Sequence, residues 1–384
     1  MKADKDIKNA RLQSRKLAAV KLDTVTKELS VPLRQMGDGY RKVLRGLHPY
    51  ERVVADLTVR ALEKDGTASL SVVLADLKAL HKEVTSTGKA LASQAKDCAS
   101  AAEALQLAED GGNDIAGILE RPEAQATLLQ MMQIQKALRK VPVIELGVPS
   151  VVLVGAPNVG KSSIVRKVSS GTPEVNAYPF TTRGVTLGHM LAQDAAQQPG
   201  SALSHATLAR LKGRGTRYQV MDSPGVLAGR LDTDRNEMES LTIASLQHLP
   251  TAVIFVADLS GLSGDDKSSV EHQCSVRREL RERFPRRPWL DVISKSDLAY
   301  QPGAVEAFLD AVRDTDTVAT PAAVAVDEGG EAVVFRAAGT VPEVLRVSSE
   351  SGDNITELKA RMRSMLASVD AVLRAYETSQ AQGS

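Results

Sequence analysis

Aromatic side chains are scarce. One Trp, six Tyr and five Phe make up 3% of 384 residues, and none falls between positions 51 and 177. A core without large rings over that length has to be built from Leu, Val, Ile and Ala, which suits close packing of helices. Cysteine is almost absent too. Cys98 and Cys274 make no disulfide framework and have no metal-ligand spacing, so the default compartment is a reducing one. No apolar run approaches the ~18 residues that mark a membrane-spanning helix. The first 30 residues lack the apolar stretch of a secretory signal, and Asp4, Asp6 and Asp23 spoil a transit-peptide pattern. Net charge is only +1, so the molecule as a whole is not a polyelectrolyte-binding surface, and nucleic-acid contact has to come from local patches. No segment repeats at a fixed period.

What is present is ordinary globular material, 43% apolar and 25% charged, at a length that points to two domains. Residues 1–146 lack strand-like alternation and read as amphipathic helices over roughly 4–30, 31–46, 49–64, 68–108 and 113–140. Breaks are expected at Gly37/Gly39, Gly66 and Gly111-Gly112. Leu70, Val73, Leu74, Leu77 and Leu80 recur at i, i+3, i+4, i+7 and i+10, the stripe of a buried helix face. The expectation is an α-helical bundle.

From 147 the texture changes. Strands are predicted at 150–155, 184–190, 217–222, 251–257, 289–293 and 343–347, and helices at 161–169, 236–248, 266–284, 304–314 and 353–376. Such alternation predicts an α/β domain over 147–376 with a parallel sheet flanked by helices, followed by a short tail at 377–384. Two inserts interrupt it. One near 192–215 is rich in Ala, Gln, Gly and Ser and reads as an exposed loop. The other, near 316–342, contains Val333-Val334-Phe335 and reads as a small hairpin.

The most informative stretch is Gly155-Ala156-Pro157-Asn158-Val159-Gly160-Lys161-Ser162, a G-x-x-x-x-G-K-S phosphate loop directly after the apolar run Val151–Val154. A strand ends, glycines let the chain turn, and a helix starts near Lys161 with its free N–H groups and positive dipole end facing the loop. Backbone N–H groups of Asn158, Val159, Gly160, Lys161, Ser162 and Ser163 are placed to wrap phosphates. Lys161 would reach the β/γ oxygens and the Ser162 hydroxyl would ligate Mg²⁺.

Four further segments follow in an order that a GTP switch requires. Tyr178-Pro179-Phe180-Thr181-Thr182 offers a threonine, Thr182 by preference and Thr181 otherwise, that could ligate Mg²⁺ and sense the γ-phosphate. Asp222-Ser223-Pro224-Gly225 closes a strand, so Asp222 would hold Mg²⁺ through water and the Gly225 N–H would meet the γ-phosphate. Ser294-Lys295-Ser296-Asp297 stands where N-K-x-D is usual. The Asp297 carboxylate would accept from the guanine N1–H and 2-amino group, a donor pair that adenine lacks, and the Lys295 stem would pack on the base. Ser294 replaces the usual Asn, and its shorter hydroxyl could hold the loop or reach the base through water. Ser348 and Ser349 occupy the last position, where a backbone N–H contacts the guanine O6.

On these residues the chain resembles the Obg–HflX group of GTPases, and within it the Nog type. The Gly155–Ser163 loop, Tyr178–Thr182, Gly188-His189-Met190, Asp222–Leu227 and Arg235–Glu239 carry the resemblance, with His48-Pro49-Tyr50 and Asp56-Leu57 in the helical part. It is dense over 149–260. Nog-type nucleolar proteins continue past the GTPase domain into a long basic tail, and this resemblance stops at a helix over 353–376, a short form. The resemblance implies an assembly factor of the large ribosomal subunit, docked on rRNA and ribosomal or assembly proteins and released by a GTP-linked switch, with no membrane and no homo-oligomer expected. The missing tail favours an organelle matrix, mitochondrial or plastid, with nucleolus or cytoplasm as the alternative.

Charge is consistent with this. Residues 1–52 hold 13 Lys/Arg against 6 Asp/Glu, and Arg277, Arg278, Arg281, Arg283, Arg286 and Arg287 form a second basic segment, read as a phosphate-contacting patch. Val226 follows the D-x-x-G segment where a water-orienting glutamine would be useful, which predicts slow turnover triggered from outside. The trigger would be an rRNA or protein element, or a K⁺ ion held at Asn158. Lys161, Thr182 and Asn158 are thus the expected catalytic set. Ser294 and Val226 also keep open a catalytically weak domain that serves as a structural binding module. A tRNA-modifying GTPase is disfavoured, because no cysteine follows Cys274.

Overall fold

The computed structural model describes residues 2–142, 144–176, 178–180, 185–191, 217–225, 237–262, 269–316, 325–326, 332–333 and 344–382. The chain divides into two compact units, Met1–Val141 and Pro142–Ser384.

The first unit holds five helices: α1 (Lys2–Gly46), α2 (Pro49–Lys64), α3 (Leu70–Asp97), α4 (Ala101–Glu120) and α5 (Pro122–Leu138). Their starts are locally encoded. His48 Nδ1 accepts from the Tyr50 N–H at 3.3 Å while Glu51 accepts from the His48 N–H at 3.0 Å, with Pro49 in the first turn, where its missing N–H costs nothing. Ser69 caps α3, and Ser100 with Glu103 forms a reciprocal capping box on α4. The core is aliphatic, with Leu22, Val73, Leu77, Val84, Ile115, Ile118 and Ile134 all nearly inaccessible.

Two expected breaks do not occur. The segments 4–30 and 31–46 are one continuous helix that carries Pro32, Gly37 and Gly39 inside it. Its buried stripe Ala18, Leu22, Thr26, Ser30, Leu33 and Gly37 runs across the join. A helical glycine costs about 1 kcal/mol, less than the burial of one large aliphatic side chain returns. The expected 68–108 helix instead breaks at Cys98–Ser100, where the Ser100–Glu103 box starts a new one. Gly111-Gly112 does not break α4, because the missing side chain is what the packing uses: a Cβ at Gly111 would come within 3.1 Å of Leu91 and 3.2 Å of Leu22. The break lies at Arg121, ahead of Pro122.

The second unit is a seven-stranded sheet in the order β2-β3-β4-β1-β5-β6-β9. Its strands are β1 (Ser150–Val154), β2 (Glu174–Asn176), β3 (Val185–Leu191), β4 (Arg217–Asp222), β5 (Thr251–Asp258), β6 (Trp289–Ser294) and β9 (Val344–Arg346). Five strands are parallel, as expected. The β2 and β3 edge is antiparallel and β2 has no counterpart in the sequence reading. A three-residue strand is too short to show a period.

The helices are α6 (Lys161–Val168), α7 (Glu237–His248), α8 (Val270–Arg283), α9 (Ala304–Asp316) and α10 (Ile355–Gln382). Alternate residues Ala252, Ile254 and Val256 of β5 join the core beneath α6 and α10, where Ile164, Val165, Leu358, Met362 and Leu366 pack. On the opposite face Phe255 stacks with Trp289 and with Phe308 of α9. The insert near 316–342 contains the expected hairpin, β7 (Ala325–Val326) against β8 (Ala332–Val333), antiparallel. The insert near 192–215 lies outside the described residues. No described helix is long and apolar enough to cross a membrane.

Of the six arginines in the expected patch over 277–287, Arg278, Arg283 and Arg286 are exposed and Arg287 is half-buried, but two do not belong to it. Arg277 and Arg281 are buried. Arg277 makes two 2.8 Å bonds to the Asp291 carboxylate, Trp289 Nε1 donates to the same carboxylate at 3.0 Å, and both guanidiniums lie over the Trp289 ring. The helix spacing places these two on the sheet-facing side of α8, where a β6 carboxylate neutralises Arg277. They cement α8 to β6 and are out of reach of a polyanion.

Candidate nucleotide-binding site

β1 lies between β4 and β5, all parallel, so the carboxyl ends of β1, β4, β5, β6 and β9 open on one edge of the sheet. Ligands of open α/β sheets sit at that edge, and the motif residues collect there. Leu153 is in register with Asp222, and Asp258 with Ser294.

The loop after β1 is set by close approach. Gly155 has φ +146°, and a Cβ there would lie 2.2 Å from the Val256 carbonyl oxygen, so no side chain is tolerated. Asn158 and Gly160 also have positive φ, and α6 begins at Lys161. Gly225 stands against Pro157 of the loop. Lys161 is buried and donates to the Gly155 and Ala156 carbonyls at 3.0 and 2.6 Å. Burial lowers its pKa from 10.5 to about 8, and the Asp222 charge opposes that shift.

The Ser162 hydroxyl donates to Asp222 Oδ2, while Asp222 Oδ1 is buried with no hydrogen-bond partner. Burial pushes the Asp222 carboxyl above the usual carboxylate range, and the Ser162 hydrogen bond and the Lys161 and Arg166 charges pull it back. A hydroxyl and an orphaned carboxylate oxygen, both hard oxygen donors beside a phosphate loop, fit Mg²⁺.

Ser294 is committed to the loop. Its hydroxyl is shared between the Val159 carbonyl at 2.6 Å and the Ala257 carbonyl at 3.0 Å, so it ties the phosphate loop to the end of β5. Of the two roles open to it, holding the loop is the one its geometry serves. Lys295 has left-handed backbone, φ +53°, and its ammonium pairs with Asp258 at 2.6 Å. Asp297 is exposed and accepts from the Ser348 hydroxyl. Ser348 is buried and also accepts from the Glu350 and Ser351 N–H groups at 3.1 Å each, while the Ser296 N–H reaches the Val347 carbonyl. Ser349 follows, half-buried. One edge therefore carries the phosphate loop, the Ser162–Asp222 pair and the Asp297 carboxylate. Thr181, Thr182 and Val226 lie outside the described residues. Asp258, Gln273 and Ser260 escaped the sequence reading. An Asp at the end of a strand is a weak signal until its partners are known.

Two family models match this chain. One, described as the NOG1 N-terminal helical domain, matches residues 1–145, and the other, described as nucleolar GTP-binding protein 1 (NOG1), matches residues 237–297. Together they span more than half of the sequence.

The chain belongs to the Nog-type family of GTP-binding proteins.

Among Nog-type relatives, nucleolar GTP-binding protein 1 of Arabidopsis thaliana is 32% identical over 172 residues, 45% of this chain and 22% of that protein. The Caenorhabditis elegans protein of the same name is 30% identical over 196 residues, 50% of this chain and 25% of that protein. The chain thus spans about a quarter of the length of such curated relatives. A solved structure of a nucleolar GTP-binding protein 1 from Plasmodium falciparum is 19% identical with a TM-score of 0.40, covering 63% of this chain and 98% of that one. The 237–297 match ends on Asp297, so it takes in α7, β5, α8, β6 and the whole Ser294–Asp297 segment.

Proposed function

We propose that this chain binds GTP with Mg²⁺, hydrolyses it slowly, and serves as a GTP-switched assembly factor of the large ribosomal subunit, docked on rRNA. The observation that carries the nucleotide assignment is Asp297. Its carboxylate is exposed and oriented by Ser348, at the same sheet edge as the phosphate loop, to which the preceding Ser294 is tied at Val159. An acceptor pair at that place matches guanine N1–H and its 2-amino group and repels the adenine pattern.

The chain's own groups supply the positioning that phosphoryl transfer needs. Lys161 gives up its two carbonyl partners to neutralise β/γ oxygens, and the N–H groups from Asn158 to Ser163 hold the phosphates. Ser162 and Asp222, the latter through water, would hold Mg²⁺ with Thr182, and the ion would neutralise charge that develops on the transferred phosphoryl group. Asn158 is the residue we assign to a K⁺ ion that would assist turnover, in keeping with Val226 where a glutamine would orient water.

The ribosomal part rests on the Nog-type relatives, whose names are nucleolar; organelle import draws no support from them. Affinity purification of the tagged chain, followed by sedimentation and RNA sequencing with and without a non-hydrolysable GTP analogue, tests it. Large-subunit precursor rRNA enriched in one nucleotide state is the expected result. Cosedimentation with small-subunit particles alone would sink the assignment.

A further inference from the structure

One buried charge at the site's edge is used by none of the steps above. Asp258 ends β5 and is almost fully buried, with its side chain inaccessible. Its Oδ1 accepts from the Ser260 N–H at 2.9 Å and the Ser260 hydroxyl at 2.7 Å, and its Oδ2 takes the Lys295 ammonium at 2.6 Å. Its main chain is clamped as well. The side-chain amide of Gln273, itself fully buried on α8, accepts from the Asp258 N–H and donates to the Asp258 carbonyl, both at 2.8 Å. Beyond the pair, the Lys295 side chain is about one-quarter exposed. Lys295 also holds left-handed backbone, which a non-glycine residue keeps only where its surroundings enforce it.

We infer that Asp258 is a positioning residue for base recognition: fixed by Gln273 and Ser260, it holds the Lys295 ammonium so that the lysine stem lies as a preset floor for the purine. This rests on the guanine-nucleotide reading above. An unpaired lysine stem samples many rotamers and has to be ordered each time a ligand arrives, whereas a stem tethered at its far end has already lost that freedom. The same tether gives α8 a mechanical connection to the base loop through two side chains.

Asp258→Asn separates the ion pair from the other contacts. The asparagine oxygen still accepts from Ser260, but its amide faces the Lys295 ammonium as a second donor. The measurement is equilibrium binding of fluorescent GDP and of a non-hydrolysable GTP analogue to four full-length proteins: wild type, Asp258→Asn, Lys295→Met and the double variant. Lys295→Met keeps an apolar stem and removes the ammonium. Asp258→Asn should raise Kd about ten-fold for both nucleotides, the lower end of what a hydrogen bond to a charged group is worth. In the Lys295→Met background the same substitution should change Kd less than two-fold, because the group through which it acts is gone. A purely structural role would cost the same in both backgrounds and would overturn the inference, as would an unchanged Kd in the single variant. If Asp258→Asn alone does not fold, the comparison of Lys295→Met with the double variant still decides: a further ten-fold loss in the double variant refutes the coupling. Wild type that binds neither guanine nucleotide overturns the guanine reading and this inference together. Wild type that binds while Asp258→Asn is indifferent overturns the inference alone.

Discussion

The lysine of the phosphate loop should record nucleotide binding as a proton. Lys161 is buried against two carbonyls, and its pKa is lowered from 10.5 to about 8. At about 1.4 kcal/mol per pH unit, its charged form is disfavoured by about 3 kcal/mol. The unfolded chain binds the extra proton between about 8 and 10.5, so the empty protein gains stability as pH rises through that window and loses it on the way down. Phosphate oxygens within reach of the ammonium reverse this and favour the charged form. Binding must then draw a proton from buffer, about 0.1 at pH 7, about 0.5 at pH 8 and about 0.9 at pH 9, with Kd rising about ten-fold from pH 7 to 9. Titration calorimetry of GDP in buffers of different ionisation heats measures the uptake directly. Lys161→Arg, which stays charged throughout, is the control and should abolish it. Uptake that stays below about 0.1 proton across pH 7–9, or that persists in the arginine variant, refutes the reasoning.

Ser294→Ala removes the tether between Val159 and Ala257 and leaves two buried carbonyls under-satisfied; about 1–3 kcal/mol of stability and about ten-fold in GDP affinity should go, read by chemical denaturation and equilibrium binding. Asp297→Asn replaces an acceptor pair with one acceptor and one donor, so preference should move from guanine to xanthine nucleotides, which present an oxygen at C2; competition binding checks it. Arg277→Leu strands the buried Asp291 carboxylate and should lower stability by about 3–5 kcal/mol, seen as a large drop in the thermal midpoint with the empty protein. An Arg277→Leu/Asp291→Leu double variant should recover much of that loss, since two apolar groups replace both charges.

The sequence alone determined what depends on neighbours along the chain. The phosphate loop and the change from helical to alternating texture near 147 are local matters of backbone geometry and side-chain spacing within a few residues. That is why they can be read from one dimension; the Ser100–Glu103 cap is just as local, but a pair of glycines nearby drew the expected break to the wrong place. The order of the motifs also set the parallel core, because short strand–helix units allow little else. Tertiary structure decided whatever depends on partners far away. Ser294 could have served base or loop until Val159, 135 residues distant, took its hydroxyl. Six arginines in eleven residues could have faced a polyanion until Asp291 and Trp289 drew Arg277 and Arg281 inward. Asp258 gave no sign of use until Lys295, Ser260 and Gln273 converged on it. Burial and charge pairing are sums over the whole fold, and a residue's role at a site is fixed by that sum rather than by its spacing.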